Sequence, residues 1–529
     1  MVRNLTFIFL VFSIPLFSQN IVVNEFCAKN NNVISDNDFN QFTDWIELLN
    51  NTSTNIVLSG YFLTDDTLQK TKWQFPLGSV IVANSYLLVW ADKEDTLINC
   101  LHTNFKLSSG NEWVALYSSD TSLIDLVEYP DQFTNISYGK TSSGLAYFST
   151  PTPKSANNTD PYYSGDREDQ PSFSLTSGFY IAGTGLVIPD ISAGSMVYYT
   201  TDGSYPNENS TLYSEPIVLN ENTVVRAKTY GALLPGKETS SSYFIDNDKQ
   251  LPVVSLIIEP NFLWSDSIGI FNEFEIENRV TWERFSKIQY FNNNDLKFET
   301  NNDIRLFGST AYQIPQKSFA VFANSTIQYQ IFEDKELDDF DSFIMRSSSD
   351  DWRLTMFRDG FVHTIVNQKL DIDYQAYKPT VLYINGEYFG IFNMREKYNE
   401  DYLEHNHGID KDSIDMLRLG YWSLSVEVLA GSDEKYYEML DYLNTNDMTD
   451  DDVFAGVAEY LDIDDYTNYI ITQIYTGNRS YKHNIKAWRE NNIIDGFKWL
   501  LFDMDRAYMD SWRPVFLMIY NADKMGILG

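Results

Sequence analysis

The sequence predicts a multi-domain chain in which two N-terminal all-β sandwiches are followed by an α+β domain, and three observations carry that prediction. The chain has 529 residues. Single hydrophobic cores stop growing well before that length, so several domains of roughly 100 to 200 residues are expected. Up to about residue 245 the chain reads as short alternating strands broken by turns, with no long segment of 3.6-residue period. From Leu251 onward longer helical segments appear among the strands. The composition, 43% hydrophobic and 21% charged, is that of folded globular modules and not of a disordered chain.

Residues 1–19, MVRNLTFIFLVFSIPLFSQ, join a basic start at Arg3 to an apolar run from Leu5 to Phe17 and a small, polar Ser18-Gln19. This layout predicts a secretory signal peptide, because the run is too short to span a bilayer. No later segment is apolar for long enough to cross a membrane, and no Cys follows the run where a lipid anchor would need one. The expected product is exported and soluble, in the extracellular space, at the cell surface or in the periplasm. A net charge of −36 excludes a nucleic-acid binder, since the phosphate backbone would be repelled. Divalent-cation binding suits this charge better. The two cysteines, Cys27 and Cys100, both fall in the first domain, where one bridge or two separate thiols are equally compatible with the sequence.

From Ile21 to about Tyr147 the strands are IVVNEFCA, DWIELLN, NIVLSGYFL, SYLLVWA, EWVALYS and SLIDLVEY. The ordered blocks VVNEFCAKN, DWIELLNNTSTNIVLSGYFLTDD, KWQFP, NFKLSSGNEWVALY and ISYGK resemble the lamin-tail domain of secreted bacterial proteins. The resemblance covers residues 20–147 and implies an immunoglobulin-like sandwich with binding or spacing roles. Residues 148–172, rich in Pro, Ser, Asn and Asp with no apolar period, read as a linker. Residues 173–246 return to a β pattern. The block YYTTDGSYPNENSTLYSEPIVLNENTVVRAKTY resembles the small immunoglobulin-like sandwich at the C-termini of chitobiases and hexosaminidases, with Asp202-Gly203 in a turn. A spacer is the expected role, and a cell-surface glycan stays open as a partner.

In the last region, residues 251–529, DDWRLTMFRDGFVHTIVNQKL places Leu354, Phe357, Phe361 and Ile365 at helical spacing behind an Asp start signal, which predicts an amphipathic helix. DVFAGVAEYLDIDDYTNYIITQIY supplies further helix, and VLYINGEYFGIFNM, HNIKAWRE and FKWLLFDMD read as strands.

The strand FKWLLF ends in Asp503-Met504-Asp505. Carboxylates at i and i+2 where the backbone leaves a sheet can bend toward one hard cation, although such a pair is by spacing alone as readily a solvated turn. Just upstream lies His483-Asn484, and Asn is a neutral oxygen ligand. Further upstream, NDIRLFGSTAYQIPQKSFAVF places Arg305 on a strand, a Gly308-Ser309-Thr310 turn after it and Lys317 at the next strand. Backbone donors beside a fixed Lys are what holding a polyphosphate requires.

Four ordered blocks, IRLFGSTAYQIPQKSFAVF, SSDDWRLTMFRDGFVHTI, VLYINGEYFGIFNMREKYNEDYLEHNHGIDKDSIDML and IYTGNRSYKHNIKAWR with FKWLLFDMDRAY, resemble the CotH family of secreted, atypical kinase-like proteins. Coverage runs from about Pro252 to Asp510. The resemblance implies a kinase-like domain that uses ATP with Mg²⁺ or Mn²⁺ and transfers the γ-phosphoryl group to Ser or Thr of a secreted or surface protein. By position, Lys317 would hold phosphates with Arg305, Gly308 and Ser309 beside them. Asn484 and Asp503 would bind metal, with Asp505 in support, and Glu396 matches a recurrent acid. One departure stands out. A kinase base is an Asp five residues before the metal-binding Asn, and here that count reaches Arg479, or Ser480 one residue on. Neither is a carboxylate, which leaves His483 as the nearby group that titrates in range and opens a second reading, a non-catalytic surface or adhesion protein with a degenerate domain. The family also continues past its acidic strand end, so an incomplete domain with Phe516, Leu517 and Ile519 uncovered is expected.

His405-Asn406-His407 matches no zinc spacing and reads as surface polar residues. The acidic runs 333–341 and 449–452 read as a solvated loop and a helix start, because the calcium-loop pattern is absent.

Overall fold

The computed structural model describes residues 20–189, 192–245, 250–273, 279–308, 313–420, 426–481, 484–491 and 496–509. The expected signal peptide and the apolar residues Phe516, Leu517 and Ile519 lie outside them. The chain divides into two compact units, one reaching Glu168 and including Gly231–Pro235, the other comprising Asp169–Tyr230 and everything from Gly236.

The first unit opposes a seven-stranded and a four-stranded sheet. Ile21–Cys27 pairs antiparallel with Asp44–Asn50, which pairs with Tyr86–Ala91. Glu112–Tyr117 and Leu123–Tyr129 form the centre of the other sheet. Alternate residues of Leu123–Tyr129 turn inward, the period of a half-buried strand. Val23, Phe26, Ile46, Leu48, Val89, Val114, Leu116 and Val127 close the core between the sheets. The stretch read as a linker is part of this unit. Pro161–Tyr162 adds a strand beside Gly144–Phe148. The Thr152 N–H donates to Glu25 Oε1 at 3.0 Å, and the Asn157 side chain donates to the carbonyls of Asn24 and Lys140. Most of its residues are exposed or half-buried, and some of its polar side chains and N–H groups bond to strand residues. Cys27 and Cys100 are free thiols packed in one small cluster with Trp45, Leu88 and Trp90.

The second unit begins with a five-stranded sheet and a two-stranded ribbon between residues 178 and 245. Phe179 and Phe244 of this module pack with Val253, Phe291, Val381 and Tyr383 of the next domain, so the module is seated on its neighbour rather than held off it. Next comes a closed barrel of seven strands, in order Val253–Ile258, Glu283–Asn292, Asp295–Leu306, Phe319–Gln328, Asp339–Arg346, Glu387–Glu396 and Tyr377–Ile384. The last strand closes on the first in parallel, Val253 beside Val381, and the other pairs are antiparallel. Asn385 and Gly386 both have positive φ, as a two-residue hairpin loop demands. The Asn385 side chain also clasps the N–H and C=O of Ile258, which fixes the closing strand.

A four-stranded antiparallel sheet follows, in order Val426–Ala430, Ile414–Leu419, Ile485–Glu490 and Lys498–Leu500. Its faces alternate. Leu417, Ala487, Trp499 and Leu501 meet Val362, Val366 and Tyr469 on one side, while Ile414, Met416, Trp488 and Leu500 meet Tyr398, Tyr402 and Leu403 on the other. Strand outweighs helix in the protein, 39% to 14%, and the α-helices of the described residues all lie after Leu251, among strands.

The helix Arg358–Asn367 forms where its period predicts, with the opposite face inward. Leu354, Phe357, Phe361 and Ile365 are exposed, and Asp359, Val362, His363 and Val366 are buried. The Asp359 carboxylate, which bonds to Arg395 and to the Met504 N–H, sets which face turns in. The second predicted helical stretch divides into Asp451–Ala455, capped by Asp450 as the acidic run suggests, and Ile463–Thr476, capped by Asp462. Among the described residues no helix is long and apolar enough to cross a membrane.

Candidate functional site

The strand Lys498–Leu500 ends short of the two aspartates, and the chain reverses at Asp503, whose φ of 53° is the left-handed conformation that Asp tolerates better than most side chains. The Met504 N–H then donates to Asp359 Oδ1 at 2.8 Å, and the Met504 side chain is buried in the core. Fixing the residue between them throws the Asp503 and Asp505 side chains onto one point. There the Arg346 guanidinium, at the end of Asp339–Arg346, donates through Nη2 to Asp503 Oδ1 and to Asp505 Oδ2, the latter at 2.5 Å. The Asn484 amide donates to Asp503 Oδ2. Asp503 and Asp505 therefore converge on a position that already holds positive charge, with Asn484 bonded to the other oxygen of Asp503.

The electrostatics follow from burial. Asp505 is sealed, and its carboxyl is pushed up to about 8 by desolvation and by the neighbouring Asp503 charge, against the opposing pull of Arg346. Its Oδ1 is buried and has no hydrogen-bond partner. The two carboxylates hold Arg346 fully charged despite its burial. Behind it, Asp359 binds the Arg395 guanidinium and lies 3.8 Å from Arg346 Nε. His363 accepts the Gln375 N–H on Nδ1 at 3.0 Å, with Nε2 3.6 Å from Asp359. Burial and then the Arg346 charge push the imidazole down to about 3, so it is neutral.

The expected phosphate residues are dispersed among other partners. Lys317 does precede the strand Phe319–Gln328, but its side chain is 2% exposed, with Nζ donating to the Ile314 carbonyl at 2.7 Å and 3.6 Å from Glu273 Oε1. Burial holds its ammonium below the usual range. Arg305 pairs with Glu283 at 3.3 Å and stands over the Phe322 ring. Gly308 has a φ of 95°, as a turn requires, while Ser309 lies outside the described residues. Glu396 is not at the Asp503 site. It is buried against Lys335 Nζ at 2.6 Å and accepts the Ala376 N–H at 2.8 Å.

Lys335 belongs to the acidic run expected to be a solvated loop. It also donates to Asn406 Oδ1 at 2.7 Å, and His407 Nε2 lies 2.8 Å from Asp373 Oδ1. Asn406 is half-buried and His407 exposed, as surface polar residues would be, and each also bonds to a partner across the domain. The Lys335 and His407 side chains line a cleft of about 370 Å³.

At the expected base position, Ser480 is buried with its N–H on Asn478 Oδ1 at 3.0 Å, and Arg479 is half-buried. His483 lies outside the described residues. The nearby carboxylates Asp350 and Asp351 are engaged elsewhere, the first with Arg506 at 2.5 Å, the second in capping Thr355 and Arg358. Sequence reasoning missed Arg346, Asp359 and His363. The last two lie inside a quoted block, SSDDWRLTMFRDGFVHTI, where a charged residue within an apolar helix period was the available signal.

Comparison with protein families matches residues 304–526 to the CotH kinase protein model, residues 18–131 to the lamin tail domain and residues 188–243 to the module described as Fn3 associated. No curated protein matches the chain. The chain therefore carries a CotH kinase domain behind a lamin tail domain and an Fn3-associated module, in that order.

The residues present suit the divalent cation such a domain implies. Two carboxylates meet at one cationic position, an amide bonds the second oxygen of Asp503, and one buried Asp505 oxygen is without a partner. Among the described residues no group of three or more His, Cys, Asp or Glu could hold a metal alone. A cation here would complete its shell with phosphate and water oxygens, as Mg²⁺ commonly does.

Proposed function

We propose that this chain is an exported kinase-like protein that binds ATP with Mg²⁺ or Mn²⁺ and phosphorylates Ser or Thr of a secreted or surface protein. The observation that carries this reading is the convergence of Asp503 and Asp505 on one cation position, with Asn484 bonded to Asp503, within the region matched to the CotH family. Asn484 and Asp503 would hold the metal and Asp505 would support them. A divalent cation there neutralises charge on the transferring phosphoryl group. The chain's own part is positioning. Asp359 fixes the turn through the Met504 N–H, and Arg346 keeps the two carboxylates together when no metal is bound. The γ-phosphorus would form its new bond to the acceptor hydroxyl oxygen as the bond to the β-phosphate bridging oxygen breaks.

The weak point is the acceptor proton. Arg479 takes no proton at accessible pH, and Ser480 is buried. Absence of a carboxylate base costs about 10²- to 10⁴-fold in rate, while positioning and charge stabilisation remain. That observation favours a second reading, a non-catalytic surface or adhesion protein whose degenerate domain binds only nucleotide, metal or a partner.

Incubation with labelled ATP and Mn²⁺ separates the readings. Slow autophosphorylation is expected for the wild-type chain and at least a tenfold loss for Asp503→Asn. Label that persists undiminished in the variant removes the assigned metal role. No label on either protein, with nucleotide still bound, selects the second reading.

A further inference from the structure

Arg346 and a divalent cation lay claim to the same place. Its Nη2 donates to Asp503 Oδ1 and to Asp505 Oδ2, so one nitrogen spans the two oxygens between which a bridging cation would sit. Magnesium lies about 2.1 Å from its oxygen ligands, and a nitrogen bonded to both oxygens leaves no such space. The guanidinium cannot give way by losing its proton, because Arg stays charged at any accessible pH. It has to move bodily. Asn484 is set the same way: its amide donates an N–H to Asp503 Oδ2, whereas a metal ligand offers the amide oxygen. Three of the four carboxylate oxygens are thus bonded within the protein, and only Asp505 Oδ1 is left over.

Two carboxylates that face one point repel each other across a poorly solvated gap unless a positive charge stands between them. Arg346 supplies that charge in the closed arrangement. The neighbourhood also offers the guanidinium a second partner. Arg346 Nε is buried without a hydrogen bond and lies 3.8 Å from Asp359 Oδ2. A shift of about 1 Å turns that approach into a hydrogen bond. The backbone next to it is strained. Ser348 and Ser349, just past the strand Asp339–Arg346, hold φ values of 72° and 43°, and Asn393 Nδ2 donates to Ser348 Oγ at 2.7 Å. Left-handed residues other than glycine store strain that gathers at sites which switch. A buried side chain with two acceptors in reach, at the end of a strained strand, takes one of two discrete positions.

We propose that Arg346 is a built-in competitor for the divalent cation: it closes the position between Asp503 and Asp505 when metal is absent and turns toward Asp359 when metal enters. This rests on the cation reading above and adds what controls entry to that site. A ligand that binds only the open fraction has its dissociation constant divided by that fraction, so a site open about one-tenth of the time binds about tenfold more weakly.

The test titrates Mn²⁺ alone into the full chain and follows the electron paramagnetic resonance signal of the free ion, with melting temperatures recorded with and without metal. Wild type, Arg346→Met, Arg346→Lys and Arg418→Gln are compared, the last removing an exposed ion pair with Glu427 as a control. Arg346→Met is expected to bind Mn²⁺ at least tenfold more tightly than wild type although it melts lower without metal. Mn²⁺ should raise its melting temperature more than that of wild type. A purely structural arginine predicts the reverse, weaker binding by a loosened site. Arg346→Lys keeps a positive charge on a single ammonium and should bind more tightly than wild type by a smaller factor. It decides the matter if Arg346→Met does not fold. Arg418→Gln should match wild type. Equal or weaker binding by the Arg346 variants, with Mn²⁺ taken up by wild type, overturns this inference and leaves the cation reading standing. No uptake by any of the four proteins, with or without a non-hydrolysable ATP analogue, overturns both.

Discussion

Two sets of buried charge lie close together in the C-terminal region and are treated in opposite ways. Around Arg346 each charge is answered: two aspartates take its guanidinium, and Asp359 answers Arg395 behind it. Around Lys486 the ammonium stands beside two aromatic rings, and no described carboxylate forms an ion pair with it. The first set behaves as a closed structural knot that holds the acidic turn in shape. Buried charge by itself therefore does not mark function here.

Breaking the closed set gives the largest expected effect. Arg346→Met takes the shared counter-ion from buried Asp505 and half-buried Asp503, and removing one partner of a buried pair costs about 3 to 5 kcal/mol. Urea denaturation of the C-terminal transition measures it. A loss below about 1 kcal/mol, against that range, would mean that the aspartates do not depend on Arg346, and the contrast with Lys486 would collapse.

A smaller effect comes from pH. His363 is held neutral, with its folded value of about 3 below the unfolded value near 6.5. Between these values the unfolded chain binds the additional proton, so stability is lost as pH falls below about 6.5. From pH 7 to pH 5 the loss is about 2 kcal/mol by linkage. Asp505, raised to about 8, acts in the opposite sense over part of the range, because the folded chain then holds the extra proton. The measurement is accordingly the difference between wild type and His363→Asn, whose amide can still accept the Gln375 N–H. The advantage of the variant should grow on acidification. A difference that stays constant from pH 7 to pH 5 would mean that His363 is not the group held neutral.

Much of the local structure was legible in the sequence, and the reasons for the remainder are physical. Alternation located the first sandwich, and the Asn385-Gly386 pair carries its own hairpin geometry. Barrel closure was hidden because it joins Val253 to Val381, far apart in the chain and in parallel. Helical period found Arg358–Asn367 but not its inner face, since the deciding contact runs from Asp359 to the Met504 N–H across 145 positions. The acidic pair and Asn484 were expected together from spacing and resemblance, and Asn484 does bond Asp503. Their counter-ion Arg346 was not, because nothing local links it to Asp503. Lys317 was assigned to phosphate by position alone, and position could not reveal that its ammonium is turned to Ile314 and Glu273. The stretch 148–172 was read as a linker because its residues are polar; most are indeed exposed or half-buried, but Thr152 and Asn157 tie it to Glu25, Asn24 and Lys140 of the first unit.

The central claim is that Asn484, Asp503 and Asp505 form a divalent-cation site. Titration of the full chain with Mn²⁺, followed by the electron paramagnetic resonance signal of the free ion in the presence of a non-hydrolysable ATP analogue, tests it most directly. Wild type should remove Mn²⁺ from solution in a saturable fashion, and Asp503→Asn, which retains the Arg346–Asp505 pair, should bind at least tenfold more weakly. Equal Mn²⁺ binding by the two proteins would contradict the account.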